Sequence, residues 1–120
     1  MEKAHKKLNV WNEAIELVTK VYAVSSQFPE NEKFGLTSQM RRAAVSIPSN
    51  IAEGAARQGA KDATQFFVIA RGSLSELDTQ LEIVLKLDFI NIDEKNKLQL
   101  QIDKVDSLLS GLIRYRRSRN

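Results

Sequence analysis

The sequence predicts an all-α protein, an antiparallel up-down-up-down four-helix bundle whose second helix is kinked at Pro48. Apolar residues recur every three or four positions along four segments, short polar connections separate these segments, and no segment alternates like a strand. The 120 residues suit one domain, spanning 1–120. We expect helices at about 8–28, 34–56, 62–87 and 92–116.

Two adjacent apolar stripes mark the first predicted helix. One consists of Leu8, Trp11, Ile15, Val18 and Tyr22, and the other of Val10, Ala14, Leu17, Val21, Val24 and Phe28. Together they cover about 200° of the helix, whereas a surface helix needs an apolar arc only a little over about 100°. The excess predicts a second buried face, with Val10, Leu17, Val21 and Val24 as candidate oligomer-interface residues.

The second predicted helix follows the polar connection 29–33. Its core stripe is Leu36, Met40, Ala43 or Ala44, Ile47 and Ile51. Pro48 removes the hydrogen bond to the Ala44 carbonyl, and Ser46, Ser49 and Asn50 are placed to satisfy freed backbone groups locally. Gly54 and Gly59 suit the end of the helix and the turn after it.

The third and fourth predicted helices have recognisable starts. Asp62 is a suitable N-cap for the third, and Asn91 with Glu94 resembles a capping box for the fourth. Gly72 at mid-helix indicates close approach of a neighbouring helix. The predicted core positions are Phe66, Ala70, Leu74, Leu77, Leu81 and Val84 or Leu85 in the third helix, and Leu98, Ile102, Val105, Leu109 and Leu112 in the fourth.

The side chains offer little for catalysis. The chain has no cysteine and one histidine, His5, in a lysine-rich leader that we expect to fray. The carboxylates Glu13, Glu16, Glu76, Asp78 and Glu82 are expected on solvated faces, and no glycine-rich phosphate loop is present. We therefore expect no enzyme, cofactor, metal or small-molecule substrate. Without a signal peptide or an apolar run of membrane-spanning length, and with no cysteine, a cytoplasmic location is expected and no membrane association.

The central stretch RRAAVSIPSNIAEG combines charged residues with a helix breaker. Its distinctive members are Arg41, Arg42, Pro48, Asn50 and Glu53. Arg42 and Glu53 are eleven residues apart, about three helical turns, so they share a face but cannot pair along one straight helix. Packing of the bundle or of subunits is the favoured role, and binding of nucleic acid or protein is the alternative.

Residues 33–57, KFGLTSQMRRAAVSIPSNIAEGAAR, resemble the signature of the four-helix-bundle proteins encoded within intervening sequences of bacterial 23S rRNA genes. LNVWNEAIELV near the start and GSLSELDTQLEIVLKL at 72–87 resemble the same family, so the resemblance covers nearly the whole chain. It implies a ring-like homopentamer. The family is similar in fold to the accessory protein of diversity-generating retroelements, which binds a reverse transcriptase and nucleic acid.

The bundle topology places three basic segments at one end. We call this end the basic pole, and it consists of Lys3, Lys6, Lys7, Arg57, Lys61, Arg114, Arg116, Arg117 and Arg119. These nine cations of the chain's 18 face only Glu2, Glu53 and Asp62, although the net charge of the chain is +3. The opposite end is predicted to be weakly acidic, with Glu30, Glu32, Asp88, Asp93 and Glu94 against Lys33, Lys95 and Lys97.

Two interpretations of the basic pole stay open. Cations near a helix C-terminus are favoured by the helix dipole, at about 0.3–1 kcal/mol each. A cluster of cations is also the electrostatic footprint of a phosphate-backbone binder, and Tyr115 is placed to stack on a base. The first functional hypothesis is therefore an oligomeric RNA- or DNA-associated protein. The second is a scaffold that docks a partner enzyme such as a reverse transcriptase.

Overall fold

The computed structural model describes residues 3–119, and Glu2, an acid predicted to lie beside the basic pole, is outside that range. Four α-helices dominate: α1 Asn9–Ser25, α2 Leu36–Ala55, α3 Ala60–Lys86 and α4 Ile92–Arg117. Short 3-10 turns at Ala4–Lys7 and Glu30–Glu32 precede α1 and α2, and no strand occurs between residues 3 and 119. The predicted all-α four-helix bundle is confirmed.

Each helix contacts two neighbours. α1 and α3 both lie against α2 and α4, and within the described range no Cα atoms of the diagonal pairs come within 8 Å of each other. Side-chain contacts show the order: Glu13 near the start of α1 meets Gln101, while Gln27 just after α1 meets Glu94. Residue numbers thus rise along α1 as they fall along α4. The kink at Pro48 stays a prediction, since α2 continues helical through this buried residue.

The structure corrects the predicted interface on α1. Val10, Leu17 and Val21 are at most 5% exposed and belong to the core of the single chain. A second copy cannot reach them, so their assignment to an oligomer interface is wrong. Val24 is half-buried. The small aliphatic stripe faces inward because it lets helices approach closely, whereas Trp11 and Tyr22 on the other stripe have polar tips that favour the boundary.

In α3 and in α4, one buried core residue lies one position after the residue that was predicted. Phe67 is buried and Phe66 only half-buried, while Ile113 is buried and Leu112 half-buried. The observed core of α3 steps by three or four throughout. Its members are Ala63, Phe67, Ala70, Leu74, Leu77, Leu81 and Val84. Where two apolar residues are adjacent, the sequence pattern does not show which one is buried, and packing decides between them.

Close helix approach occurs at Gly54, whereas the prediction placed it at Gly72. A Cβ on Gly54 would overlap the Phe67 ring and lie 2.9 Å from the Ala63 carbonyl oxygen. A Cβ on Gly72 would meet nothing within 4 Å. The α2–α3 contact therefore depends on the absence of a side chain at Gly54, and the prediction for Gly72 is wrong.

The helix starts give one correction and one confirmation. The N-cap of α3 is Gly59, and Asp62 lies in the first turn without a capping bond, so the predicted N-cap is wrong. Asp62 instead faces Arg57 at 3.8 Å. The capping box of α4 is confirmed: Asn91 Oδ1 accepts from the Glu94 amide at 2.8 Å, and Glu94 Oε1 accepts from the Asn91 amide at 3.0 Å.

Candidate nucleic-acid interface

The turn between α2 and α3 meets the end of α4. Nη2 of Arg116 donates to the Gln58 carbonyl oxygen at 2.6 Å. Arg117 and Lys61 line one groove of about 630 Å³ whose floor includes Val68 and Ile69. Two of the three segments of the basic pole are therefore in contact.

The third segment forms a turn beside α1 and α2. We expected the leader around His5 to fray, but residues 4–7 form a 3-10 turn. The His5 ring lies edge-on to Trp11 with centroids 5.0 Å apart, and Asn12 Nδ2 donates to the Lys6 carbonyl oxygen at 3.2 Å. This packing holds Lys6 and Lys7 against the bundle. Among the described residues, no helix-level contact joins the turn to α4.

Three arginines of the basic pole already have partners. Arg57 pairs with Glu53 at 3.1 Å and Asp62 at 3.8 Å, and its guanidinium lies 4.7 Å from the centre of the Phe66 ring. Arg116 holds the Gln58 carbonyl, and Arg119 lies over the Tyr115 ring at 4.8 Å. Of the three, Arg57 is paired with carboxylates, whereas Arg116 and Arg119 are held in place with their charge unneutralised within the described residues.

The remaining cations of the basic pole are exposed. They are Lys3, Lys6, Lys7, Lys61, Arg114 and Arg117. Within residues 3–119 none of them is in an ion pair. Their charges are available to a phosphate backbone, where each neutralised phosphate releases counterions.

Arg41 of the central motif joins two helices. Its Nε donates to Ser25 Oγ at 2.8 Å, and its guanidinium lies 4.4 Å from the centre of the Tyr22 ring. Ser25 is buried at the end of α1. Arg41 therefore fastens α2 to the last turn of α1, while Arg42 beside it is exposed.

The other motif residues act within α2. Asn50 Nδ2 donates to the Ser46 carbonyl oxygen at 2.8 Å, and Ser49 Oγ donates to that of Val45 at 2.8 Å. These bonds reach the two carbonyls that follow Ala44, whose own carbonyl loses its usual donor to Pro48. Glu53 is exposed and pairs with Arg57.

The sequence did not predict a polar cluster that lies between α1 and α4. Gln101 is buried and donates from Nε2 to Glu13 Oε1 at 2.9 Å, while Lys104 Nζ lies 3.2 Å from Glu13 Oε2. The Gln101 amide, followed by the Lys104 ammonium, holds the pKa of the Glu13 carboxyl below its usual value. The expected solvated position of Glu13 is thus wrong, because its partners come from a helix 88 residues away.

Phe34 is a further residue whose setting the sequence did not predict. Periodicity placed it at the start of the second helix, yet it lies in the turn before α2 and is 90% exposed. A bulky aromatic next to the polar connection 29–33 was the available signal.

Over residues 3–119, no helix is long and apolar enough to cross a membrane. No curated protein matches the chain. A crystal structure from Bacteroides thetaiotaomicron, described as a protein of unknown function from the S23 ribosomal protein family, is similar with a TM-score of 0.80 at 21% sequence identity. The similarity covers 87% of this chain and 97% of that one, and at this identity it shows the fold alone. The model of the family described as 23S rRNA-intervening sequence protein matches residues 6–111, a span that includes most of α4, so the chain belongs to this family.

Proposed function

We propose that the protein is a non-enzymatic, cytoplasmic homo-oligomer that associates with RNA through its basic pole. The observation that supports the proposal is the contact between the α2–α3 turn and the end of α4, which brings exposed Lys61 and Arg117 to one groove, with exposed Arg114 three residues before Arg117 in α4. Tyr115 is 56% exposed beside them. Such a surface suits non-specific, salt-sensitive binding to a phosphate backbone.

The oligomer proposal rests on the outer stripe of α1, which we define as Trp11, Ile15 and Val18. Ile15 is 37% exposed, and Trp11 and Val18 are half-buried. The family resemblance supplies the number five. Light scattering should therefore give a mass several times the 13.6 kDa of one chain, and a ring of five would repeat the basic pole around its axis.

The first experiment titrates a labelled RNA hairpin at about 50 and 200 mM salt, a range over which a binder of six to ten phosphates loses roughly 10³–10⁵ in affinity. The test variant is Arg114→Glu/Arg117→Glu, which spares Arg116 because that side chain holds the Gln58 carbonyl. We expect weaker binding and a salt slope reduced by about two. The matched control is Lys86→Glu/Lys97→Glu, which makes the same charge change away from the pole.

Undiminished binding by the Arg114→Glu/Arg117→Glu variant would exclude the basic pole as the RNA surface. Absence of hairpin binding even at the lower salt would favour the second hypothesis, a scaffold for a partner enzyme such as a reverse transcriptase. One observation favours that alternative: a groove of about 780 Å³ between α1 and α4, lined by Val24 and by Leu100, which is 72% exposed. A partner that co-purifies with the protein and is lost in Leu100→Asp would support it.

A further inference from the structure

A pocket of about 660 Å³ lies where the end of α1 meets the start of α2, far from the basic pole. Tyr22 of α1, Lys33 and Phe34 of the preceding turn, and Arg41 and Arg42 of α2 line it. Arg42 and Arg57 are fifteen positions apart along α2 and its C-terminal turn, about 22 Å at 1.5 Å per helical residue. The pocket and the basic pole are therefore separate surfaces.

The pocket is positively charged, although residue counts predicted an acidic end. Three cations line it and no carboxylate does. Glu32, the nearest acid along the chain, accepts from the Leu36 amide through Oε1 at 3.1 Å and is not among the residues that line the pocket. Arg41 is held by Ser25, but Arg42 is exposed and makes no hydrogen bond or ion pair within the described residues. Arg42 and Lys33 thus face solvent with unneutralised charge.

Two aromatic rings stand beside these cations. Phe34 is 90% exposed, so its large apolar ring has almost none of its surface buried within the monomer. Within the described residues, the only cation that lies over this ring is the Lys33 ammonium, 5.7 Å from the ring centroid. Tyr22 is 43% exposed and carries the Arg41 guanidinium on one face. Rings and cations without acids are the combination that binds single strands, because bases stack on the rings and phosphates meet the cations.

From this arrangement we infer that the pocket binds single-stranded nucleic acid, with an unpaired base on Phe34 and its phosphate at Arg42 and Lys33. The inference rests on the proposed function only in taking nucleic acid as the ligand of the protein. It adds a second site, which prefers single strands, to the basic pole. A duplex keeps its bases stacked and cannot offer one to Phe34. A protein partner fits less well, because it would have to supply carboxylates for the cations as well as a cover for the ring.

The test measures binding of labelled ten-nucleotide oligouridine and oligothymidine to the full chain, next to the hairpin of the first experiment and a blunt-ended duplex of the same stem, which has no unpaired base. Phe34→Ala and Arg42→Glu should each weaken binding of at least one oligonucleotide about tenfold, while duplex affinity changes less than twofold. The ratio of the two oligonucleotides tells whether RNA or DNA is the source. Ile92→Ala, which removes another exposed apolar side chain, and Lys86→Glu are the matched controls and should bind as the parent does.

Each outcome separates this inference from the proposed function. Loss of oligonucleotide binding in the pocket variants alone supports the pocket, whatever the hairpin shows. Loss only in Arg114→Glu/Arg117→Glu overturns the pocket and leaves the basic pole as the single surface. No binding of either oligonucleotide overturns the pocket even where the hairpin binds. A change of oligomeric mass in Phe34→Ala with unchanged oligonucleotide affinity also overturns it, and assigns Phe34 to a contact between copies.

Discussion

The two apolar stripes of α1 both consist of hydrophobic side chains but differ in how deeply they are buried. The inner stripe, which we define as Val10, Ala14, Leu17 and Val21, is buried in the core, whereas the outer stripe is half-exposed. Hydrophobicity alone shows that both stripes can be buried. Side-chain size and polar tips decide which one the other helices cover. Gly54 and Gly72 differ in the same way, because Gly54 is buried at a close contact between helices and Gly72 is exposed.

The largest expected effect is that of Leu17→Lys on the inner stripe. Truncating a buried leucine costs about 2–5 kcal/mol, and burying an ammonium group adds to this cost. The total approaches the roughly 5–15 kcal/mol that hold a domain folded. We expect loss of the cooperative thermal transition by circular dichroism. A folded variant with an unchanged melting temperature would show that Leu17 is not in the core of the monomer.

Gly54→Ala tests the inner face of α2. The added methyl meets the Phe67 ring and the Ala63 carbonyl, and overpacking costs about 1–3 kcal/mol. Urea unfolding should give a lower midpoint with an unchanged slope. Combining Gly54→Ala with Phe67→Leu should recover part of the overpacking loss, because the smaller side chain makes room. An increase in stability for the single variant would contradict the close approach.

Ile15→Lys tests the outer stripe and is matched to Leu17→Lys in its chemical change. We expect a loss of about 1 kcal/mol, because the side chain is already 37% exposed. The fold should survive while the mass measured by light scattering falls. A folded variant of unchanged mass would remove Ile15 from the proposed interface. Unfolding would instead show that both stripes belong to the core.

Gly72→Ala should stabilise the protein. The position is exposed, and nothing lies within 4 Å of an added Cβ. Alanine in place of glycine inside a helix gains roughly 0.5–1 kcal/mol. Urea midpoints of the parent and the variant measure the gain. A loss of stability would place a neighbouring helix closer to α3 here than the structure does.

The smallest effect is expected from Glu13→Gln at the polar edge of α1. A pKa lowered in the folded state stabilises the fold above the usual value of 4.5, and this stabilisation is lost as the pH falls through the folded pKa. Urea unfolding should find the variant slightly less stable than the parent at pH 7. The difference should shrink below about pH 4.5. A stability difference that grows as the pH falls would show that folding raises the Glu13 pKa instead of lowering it.

The sequence predicted the parts of the fold that depend on near neighbours. The capping box of Asn91 and Glu94 was readable because its two residues lie three positions apart. The Asp62 prediction failed because several residues before an apolar run can cap a helix, and Gly59 takes that place. Phe66 and Phe67 were equally apolar choices, and only the packing against Gly54 separates them.

The candidate site was predictable only as a set of segments. Counting charges identified the basic pole, but Arg57 and Arg116 are engaged by Glu53, Asp62 and the Gln58 carbonyl. Charge counts also labelled the other end acidic and concealed the cations near Phe34. A count records how many charges a segment has, whereas the direction of each side chain depends on contacts that the count does not contain.

The sequence by itself determined that four segments are helical and that each has an apolar face, because helical periodicity and capping act within a few residues. Only the tertiary structure decided that Leu17 faces inward, that Gly54 is crowded, and that Phe34 shares a pocket with Arg42. These outcomes depend on groups brought together from separate helices, where packing at close range selects among side chains that hydrophobicity leaves equal.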